Sequence, residues 1–484
     1  MLVKFIMSLR IILLNIWIIV SVPLLGQNSN RLVHNFLNDK ALLGASSGIA
    51  VTDLQTGALL MSVNPDLLLA PASTAKLITS GVALQILGAN FRFETTLKHT
   101  GVIEKSIATL NGNLIIQGGG DPTAGSEWFD KENPVSELFD RWIEVIRKSG
   151  IRAIKGDIVM DISNFQKWAL PATWMWEDVG NYYGAGPAAL NLYDNTVRLF
   201  FNSPRKPDEL TNIVSTKPEI AGMEWVNEVR SSTINRDLAY VFGSPWDNKR
   251  VIRGTIPANR TNFEVKASMP EPPKVFGNLL KEHLKLSGIE FTGDIVFSES
   301  KIEAYILHTF YSPLLAKVCS ALNYQSVNLI AESLVMQIAY QQNGFGHHPD
   351  GMKIISGFLK ENVTSGPFFL DDGSGLSRFT AISARQMNDF LLYMHRSESR
   401  EIYKSTLPTA GAGTLRSFSA KDFPGLTLRC KSGSMTRVRS YAGYLVGKSG
   451  REMAFAIIVN NFPGTQQEVF SAIEELLVKA RNEF

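Results

Sequence analysis

The sequence predicts an α/β fold built from both ends of the chain, with a β-rich insertion between them. Helical periodicity dominates the N-terminal region and the C-terminal third, whereas short strand-like runs punctuated by turns fill the middle. The 484-residue length exceeds one ordinary hydrophobic core and suggests roughly two to four domains. With 45% hydrophobic and 19% charged residues, the composition is that of a folded globular protein.

Met1 to Gly26 has the features of a secretory signal: Lys4 and Arg10 at the start, an apolar run from Ile11 to Leu25, and a small residue at Gly26. The alternative is a retained membrane anchor, for which the run falls short of the roughly 20 residues needed to span. Either way the chain is expected to leave the cytoplasm. The formal charge of +3 includes Lys4 and Arg10, so the remainder is near neutral and no nucleic-acid partner is expected. Cys319 and Cys430 carry no spacing signature, and two buried thiols are as consistent with the sequence as a pair.

Asn30 to Leu43 is expected to be helical, Gly48 to Leu54 and Ala58 to Val63 a β-hairpin, and Pro71 to Leu87 a helix. Strand-like runs follow at Asn113 to Gln117, Gly156 to Asp161, Val197 to Asn202, Ala239 to Phe242 and Asn262 to Ser268. A helix from Lys274 to Leu286, ended by Gly288, leads to a strand-like run from Glu290 to Ser298. Helices are then expected over Pro313 to Gln341, Gly351 to Lys360 and Ser383 to His395. Strands Leu426 to Lys431, Ser440 to Val446 and Met453 to Asn460 precede a last helix, Gln466 to Ala480.

Three short patterns recur by chance and are separated by context. Ser-x-x-Lys occurs at Ser73/Lys76, Ser203/Lys206 and Ser298/Lys301. At a helix start, residues three apart share a face, which suits only Ser73 and Lys76. There the helix dipole and burial would both depress the lysine pKa and let it accept a serine proton. Lys206 precedes a proline, and Ser298 ends a strand-like run whose next-but-two residue faces the other way.

Ser-x-Asn occurs at Ser62/Asn64, a hairpin turn, and at Ser326/Asn328, which interrupts two helical stretches where polar groups can project into a cleft. Lys-Ser-Gly occurs at Lys148, which ends a helix, at Lys448, in a hairpin turn, and at Lys431, at the end of an apolar strand that a peptide could pair with. The surviving matches run in the order Ser-x-x-Lys, Ser-x-Asn, Lys-Ser-Gly, a set known in β-lactamases and penicillin-binding proteins.

With these motifs the chain resembles the three-domain, low-molecular-mass D-alanyl-D-alanine carboxypeptidase/endopeptidase family, the type-4 penicillin-binding proteins. Further matching runs are Gly118-Gly119-Gly120-Asp121-Pro122, Tyr183-Gly184-Ala185-Gly186-Pro187, Asn328-Leu329-Ile330-Ala331-Glu332 and Asp372-Gly373-Ser374-Gly375-Leu376-Ser377. The resemblance implies a penicillin-binding transpeptidase/β-lactamase-like domain, an antiparallel sheet flanked by helices, at 27–91 and 303–484. A second domain at 92–190 and 272–302 and a third at 191–271 would fill the gap from Lys76 to Ser326.

It also implies residue roles. Ser73 would attack the penultimate D-alanine carbonyl, Lys76 would be its base, and Ser326 would relay a proton to the leaving group. Asn328 would hold the substrate amide and orient Lys76, while Lys431 and Ser432, followed by Gly433 and Ser434, would bind the terminal carboxylate. The backbone N–H groups of Ser73 and Ser434 would form the oxyanion hole. Peptidoglycan stem peptides would be substrates and β-lactams acylating inhibitors, with no cofactor or metal. An exported location in the periplasm or cell envelope is expected, and peripheral membrane association is left open. The sequence departs from the family pattern at Val327, where Asp is frequent, and at Ser432, where Thr is.

Rival chemistries fit less well. Gly44-Ala45-Ser46-Ser47-Gly48 matches a nucleophile elbow, but a helix precedes it and a strand follows, the reverse of what that motif needs. His347-His348 lies in a polar Gly/Pro-containing stretch without zinc-site spacing and is expected to be a solvated loop. A β-lactamase would need a positioned base for deacylation, and a catalytically idle peptidoglycan-binding or penicillin-sensing protein would need disabled geometry.

Overall fold

The computed structural model describes residues 31–129, 135–167 and 169–484, so the expected signal segment lies outside the described residues. The chain divides into two compact units. Among the described residues, the first comprises 31–74, 360–369 and 380–484, and the second those between 75 and 359 and between 370 and 379. Among the described residues no helix is long and apolar enough to cross a membrane.

The first unit is built on an antiparallel five-stranded sheet in the order Leu428–Met435, Val438–Val446, Glu452–Asn460, Ser46–Asp53, Leu59–Val63. Its inner strands are buried almost throughout because helices cover both faces. Alternation along the strands sends Ile49, Val51, Phe455 and Ile457 to one face. There they pack with Val469, Ile473, Leu476 and Leu477 of the helix Gln466–Glu483. A capping box of Thr465 and Glu468 starts that helix. On the other face Asn388, from the helix Ala384–Arg396, donates to Thr52 Oγ1 and the Ala454 carbonyl. This helix too begins with a capping box, Ser383 and Gln386.

The Lys-Ser-Gly strand, Leu428–Met435, is the edge strand of this sheet. Its outer side is covered where Thr409 bridges Arg429 and Cys430 N donates to the Pro408 carbonyl. Lys431 therefore sits mid-strand, not at the strand end expected from the apolar run.

The second unit contains helices Lys76–Leu87, Leu315–Gln325 and Asn328–Asn343 packed together. The last is buried on all sides from Asn328 to Ala339, which explains why apolar residues occupy nearly every face of it. The same unit holds a mixed five-stranded sheet, Ile295–Ser298, Ile158–Asp161, Leu114–Gln117, Glu94–His99 and Tyr305–Tyr311, with a smaller four-stranded one. Phe139, Trp142 and Ile146 of the helix Val135–Lys148 and Phe276, Leu280 and Leu284 of the helix Pro272–Leu286 fill its core.

Two three-stranded sheets, centred on Thr196–Ser203 and Lys249–Pro257, enclose a separate core of Leu199, Phe201, Val229, Val241 and Ile252. Tyr305–Tyr311, which periodicity did not reveal, pairs antiparallel with Glu94–His99. The expected run Glu290 to Ser298 is two short strands, Glu290–Phe291 and Ile295–Ser298. In the Gly118–Gly120 run, a Cβ on Gly119 would lie 1.6 Å from the Glu94 carbonyl oxygen, so this crossing of backbones admits no side chain.

Candidate active site

Each unit carries half of the motif set. In the first, the chain reaches Ser73 through a segment fixed from the sheet. Asn460 accepts from Ala70 N at 2.9 Å and donates to the Ala70 carbonyl at 3.0 Å. Ser440 Oγ donates to the Pro71 carbonyl, as does Thr74 Oγ1 at 2.8 Å. Ala72 has φ 47°, a strained left-handed conformation directly before Ser73. Ser73 lies in a 3-10 turn, Ala72–Ala75, and the α-helix proper starts at Lys76. The expected α-helical first turn is thus a tighter one.

Along the edge strand, successive side chains alternate faces, so Cys430 enters the hydrophobic core while Lys431 and Gly433 turn to the opposite face. A Cβ on Gly433 would stand 2.6 Å from the Pro71 carbonyl oxygen and 3.0 Å from Ser73 N. Glycine at this position lets the edge strand lie directly against the Ser73 segment. Lys431 is fully buried and its Nζ donates to the Ser432 carbonyl at 2.7 Å. Ser432 is partly exposed and Ser434 exposed.

In the second unit Lys76 is wholly buried. Its Nζ donates to Asn328 Oδ1 at 2.6 Å and to the Ser374 carbonyl at 2.7 Å. Burial lowers its pKa to about 7, against the raising influence of Asp372 and then Glu332. At neutral pH a large fraction is therefore the amine, which can take a proton. The other end of the Asn328 amide donates to the Tyr183 carbonyl at 2.7 Å, which fixes its orientation.

Ser326 occupies the left-handed region at φ 63°, as C-cap of the helix Leu315–Gln325, and Val327 is the N-cap of the next. The helix interruption expected from the sequence is present, and its partly exposed serine stands outside regular structure.

A buried polar layer lies behind Lys76. Glu332 Oε1 accepts from Ser374 N at 2.8 Å, and Oε2 from Gly373 N at 3.0 Å and from His348 Nε2 at 2.8 Å. Asp372 accepts from Trp174 Nε1, Ser374 Oγ and the N–H groups of Gly375, Leu376 and Ser377. His348 is not in a solvated loop. It begins the helix His348–Asn362 and is buried against Glu332, because the buried carboxylate needs a donor there. Glu332 and Asp372 belong to runs that matched by resemblance without a role. The signal for Glu332 was a carboxylate one helical turn beyond Asn328 on an otherwise apolar helix.

Two decoys behave as expected. Gly150, after Lys148, is a left-handed helix end, and Gly450, after Lys448, lies in the turn between two strands. Ser46 lies in a strand with no helix behind it, which excludes the nucleophile elbow. Both cysteines are free and buried.

The model of the D-Ala-D-Ala carboxypeptidase 3 (S13) family matches residues 29–483, nearly the whole chain. The chain belongs to this family. Membership gives its enzyme class, a serine peptidase of the D-alanyl-D-alanine carboxypeptidase type. A D-alanyl-D-alanine carboxypeptidase of Actinomadura sp. is 28% identical over 447 residues, 88% of this chain and 80% of that protein. The carboxypeptidase DacB of Haemophilus influenzae is 25% identical over 436 residues, 88% of each chain. The crystal structure of penicillin binding protein 4 from Haemophilus influenzae superposes with a TM-score of 0.80, covering 93% of this chain and 98% of that one at 23% identity. The penicillin-binding fold with additional domains is therefore shared.

Proposed function

We propose that this S13 peptidase cleaves the D-alanyl-D-alanine bond of peptidoglycan stem peptides through an acyl-enzyme on Ser73. Lys76 removes the Ser73 proton, Ser326 passes a proton to the leaving amine, and Asn328 holds both Lys76 and the substrate amide. The substrate lies along the edge strand, where Lys431 and Ser432 take its terminal carboxylate, Lys431 acting from a buried position behind the serine. Backbone N–H groups of Ser73 and Ser434 stabilise the oxyanion, at about 3 to 4 kcal/mol per donor in comparable hydrolases. Water then releases the acyl group, and a β-lactam acylates the same serine.

The observation that carries this reading is the state of Lys76, a fully buried amine with a pKa near 7, fixed at 2.6 Å from the asparagine of the second motif. A lysine serving only stability would not be expected in so costly a place. Action on cross-linked peptides, export by the segment 1–26, residence in the periplasm or cell envelope, and inserted domains at 92–190 with 272–302 and at 191–271 complete the proposal.

The test is covalent labelling by a fluorescent penicillin together with release of D-alanine from a pentapeptide. Both should occur in the wild-type protein and vanish in Ser73→Ala. Labelling without cleavage would favour a penicillin sensor, and rapid penicillin turnover a β-lactamase.

A further inference from the structure

A neutral lysine amine has two N–H donors and one lone pair. Two partners of Lys76 Nζ are acceptors, Asn328 Oδ1 at 2.6 Å and the Ser374 carbonyl at 2.7 Å. If both donors are committed to these oxygens, the lone pair must point in a third direction set by where the two acceptors stand. The direction of proton abstraction thus depends on two groups being held still, and the Ser374 carbonyl belongs to a loop with no helix or strand to hold it.

What holds it is Glu332. The carboxylate receives the N–H of Ser374 on one oxygen and that of Gly373 on the other, fixing the two peptide groups that precede the Ser374 carbonyl. Gly373 can approach this closely because it has no side chain, since a Cβ there would meet Val335 at 2.5 Å. The Gly373 carbonyl in turn accepts from Thr79 Oγ1, one helical turn beyond Lys76, at 2.6 Å. Glu332 is fully buried, and its third donor is His348 Nε2, itself 5% exposed. A buried carboxylate with three donors is well supported, and removal of one donor loosens the group.

We propose that Glu332, supported by His348, is a positioning residue for the catalytic base, fixing the Ser374 carbonyl that aims Lys76 and supplying negative charge behind it. The inference rests on the function proposed above. Within its own unit the titratable groups facing Lys76 are Asp372 and Glu332, and the one facing Glu332 from the next helix is His348. Glu332 keeps its pKa low in spite of burial, through the His348 hydrogen bond and charge and the Ser374 and Gly373 donors. Its charge raises the pKa of Lys76, so its loss should lower that pKa.

Glu332→Gln keeps the size but replaces one acceptor oxygen with a donor nitrogen. We expect the penicillin acylation rate of the folded variant to fall at least about tenfold, and the acid limb of its pH profile to move to lower pH. A wild-type rate and limb would overturn the proposal, as would a slower rate with an unmoved limb, which is what a packing role alone would give.

Should that variant not fold, the pair His348→Gln and His348→Ala decides. Glutamine retains an N–H for Glu332 and should stay within about threefold of wild type, whereas alanine should lose at least about tenfold. Equal rates in the two would overturn the proposal. Absence of labelling in the wild-type protein would instead bring down the proposed function, and this inference with it.

Discussion

The two halves of the motif set are held by different physics. In the first unit the Ser73 segment and the Lys431–Ser434 strand are fixed by close backbone approach, with Gly433 against Pro71 and Ser73 and with Asn460 and Ser440 gripping residues 70–71. In the second, Lys76 is fixed by buried charge and its partners Asn328, Ser374, Glu332 and Asp372. The first arrangement tolerates no added atom. The second has one equally tight approach, at Gly373, but depends above all on the number of donors, acceptors and charges around Lys76.

Gly433→Ala is the strongest way to break this comparison. Its Cβ would lie 2.3 Å from Ser440 Oγ and 2.6 Å from the Pro71 carbonyl oxygen, so the strand must move away from Ser73. Overpacking of this kind costs about 1 to 3 kcal/mol in stability. The acylation rate should suffer more, falling about 100-fold or further, because small displacements of a reacting group are amplified in rate. Near-wild-type penicillin labelling of Gly433→Ala would show that backbone proximity does not govern this half.

Asn328→Ala probes the other half by changing bonding, not bulk. It removes an acceptor from a buried amine and orphans the Tyr183 carbonyl, and should cost about 1 to 3 kcal/mol in thermal unfolding. Acylation should slow by about 10 to 100-fold. If Asn328→Ala were less damaging than an alanine at an exposed site outside the motifs such as Ser106, the polar half would not be as tightly coupled as described.

The sequence made one kind of information plain and hid another. Ser73 and Lys76 are three residues apart, Ser326 and Asn328 sit at a helix break, and Lys431–Gly433 closes a run of strand formers. Each of these is local and could be found by periodicity. The pairing of Glu332 with His348 joins two helices across a turn, and the approach of Gly433 to Ser73 joins distant parts of the chain. The pairing of Tyr305–Tyr311 with Glu94–His99 is similarly long-range. Such contacts are set by packing and leave no repeating pattern. His348 misled for this reason, since its neighbours Gly344, Gly346 and Pro349 are those of a loop although its ring is buried.

The pH dependence of acylation sharpens the electrostatic side of the comparison. Burial holds the Lys76 pKa at about 7. The reactive amine is therefore dominant above that pH and lost below it. Between pH 8 and pH 6 the acylation rate should fall roughly tenfold, following the fraction of neutral amine. A profile flat from pH 5 to pH 8 would mean that Lys76 is not the group whose proton state limits the step.

The smallest expected effect concerns the thiols, of which each unit contains one. Cys430 is buried in the first unit beside Lys431, and Cys319 is buried in the second, where its Sγ faces the Ser80 carbonyl oxygen at 3.9 Å. Burial raises both thiol pKa values, and for Cys430 the charge of Lys431 opposes this only in part. Reductant should therefore leave acylation unchanged, because no disulfide is there to break. A thiol-reactive chromophore should react with either cysteine only after its surroundings open. Since each thiol reports a different unit, Gly433→Ala should hasten reaction at Cys430 and Glu332→Gln at Cys319, each without affecting the other. Equal acceleration of both thiols in either variant would show that the two halves open together, and that their contrasting chemistry does not make them separate in stability.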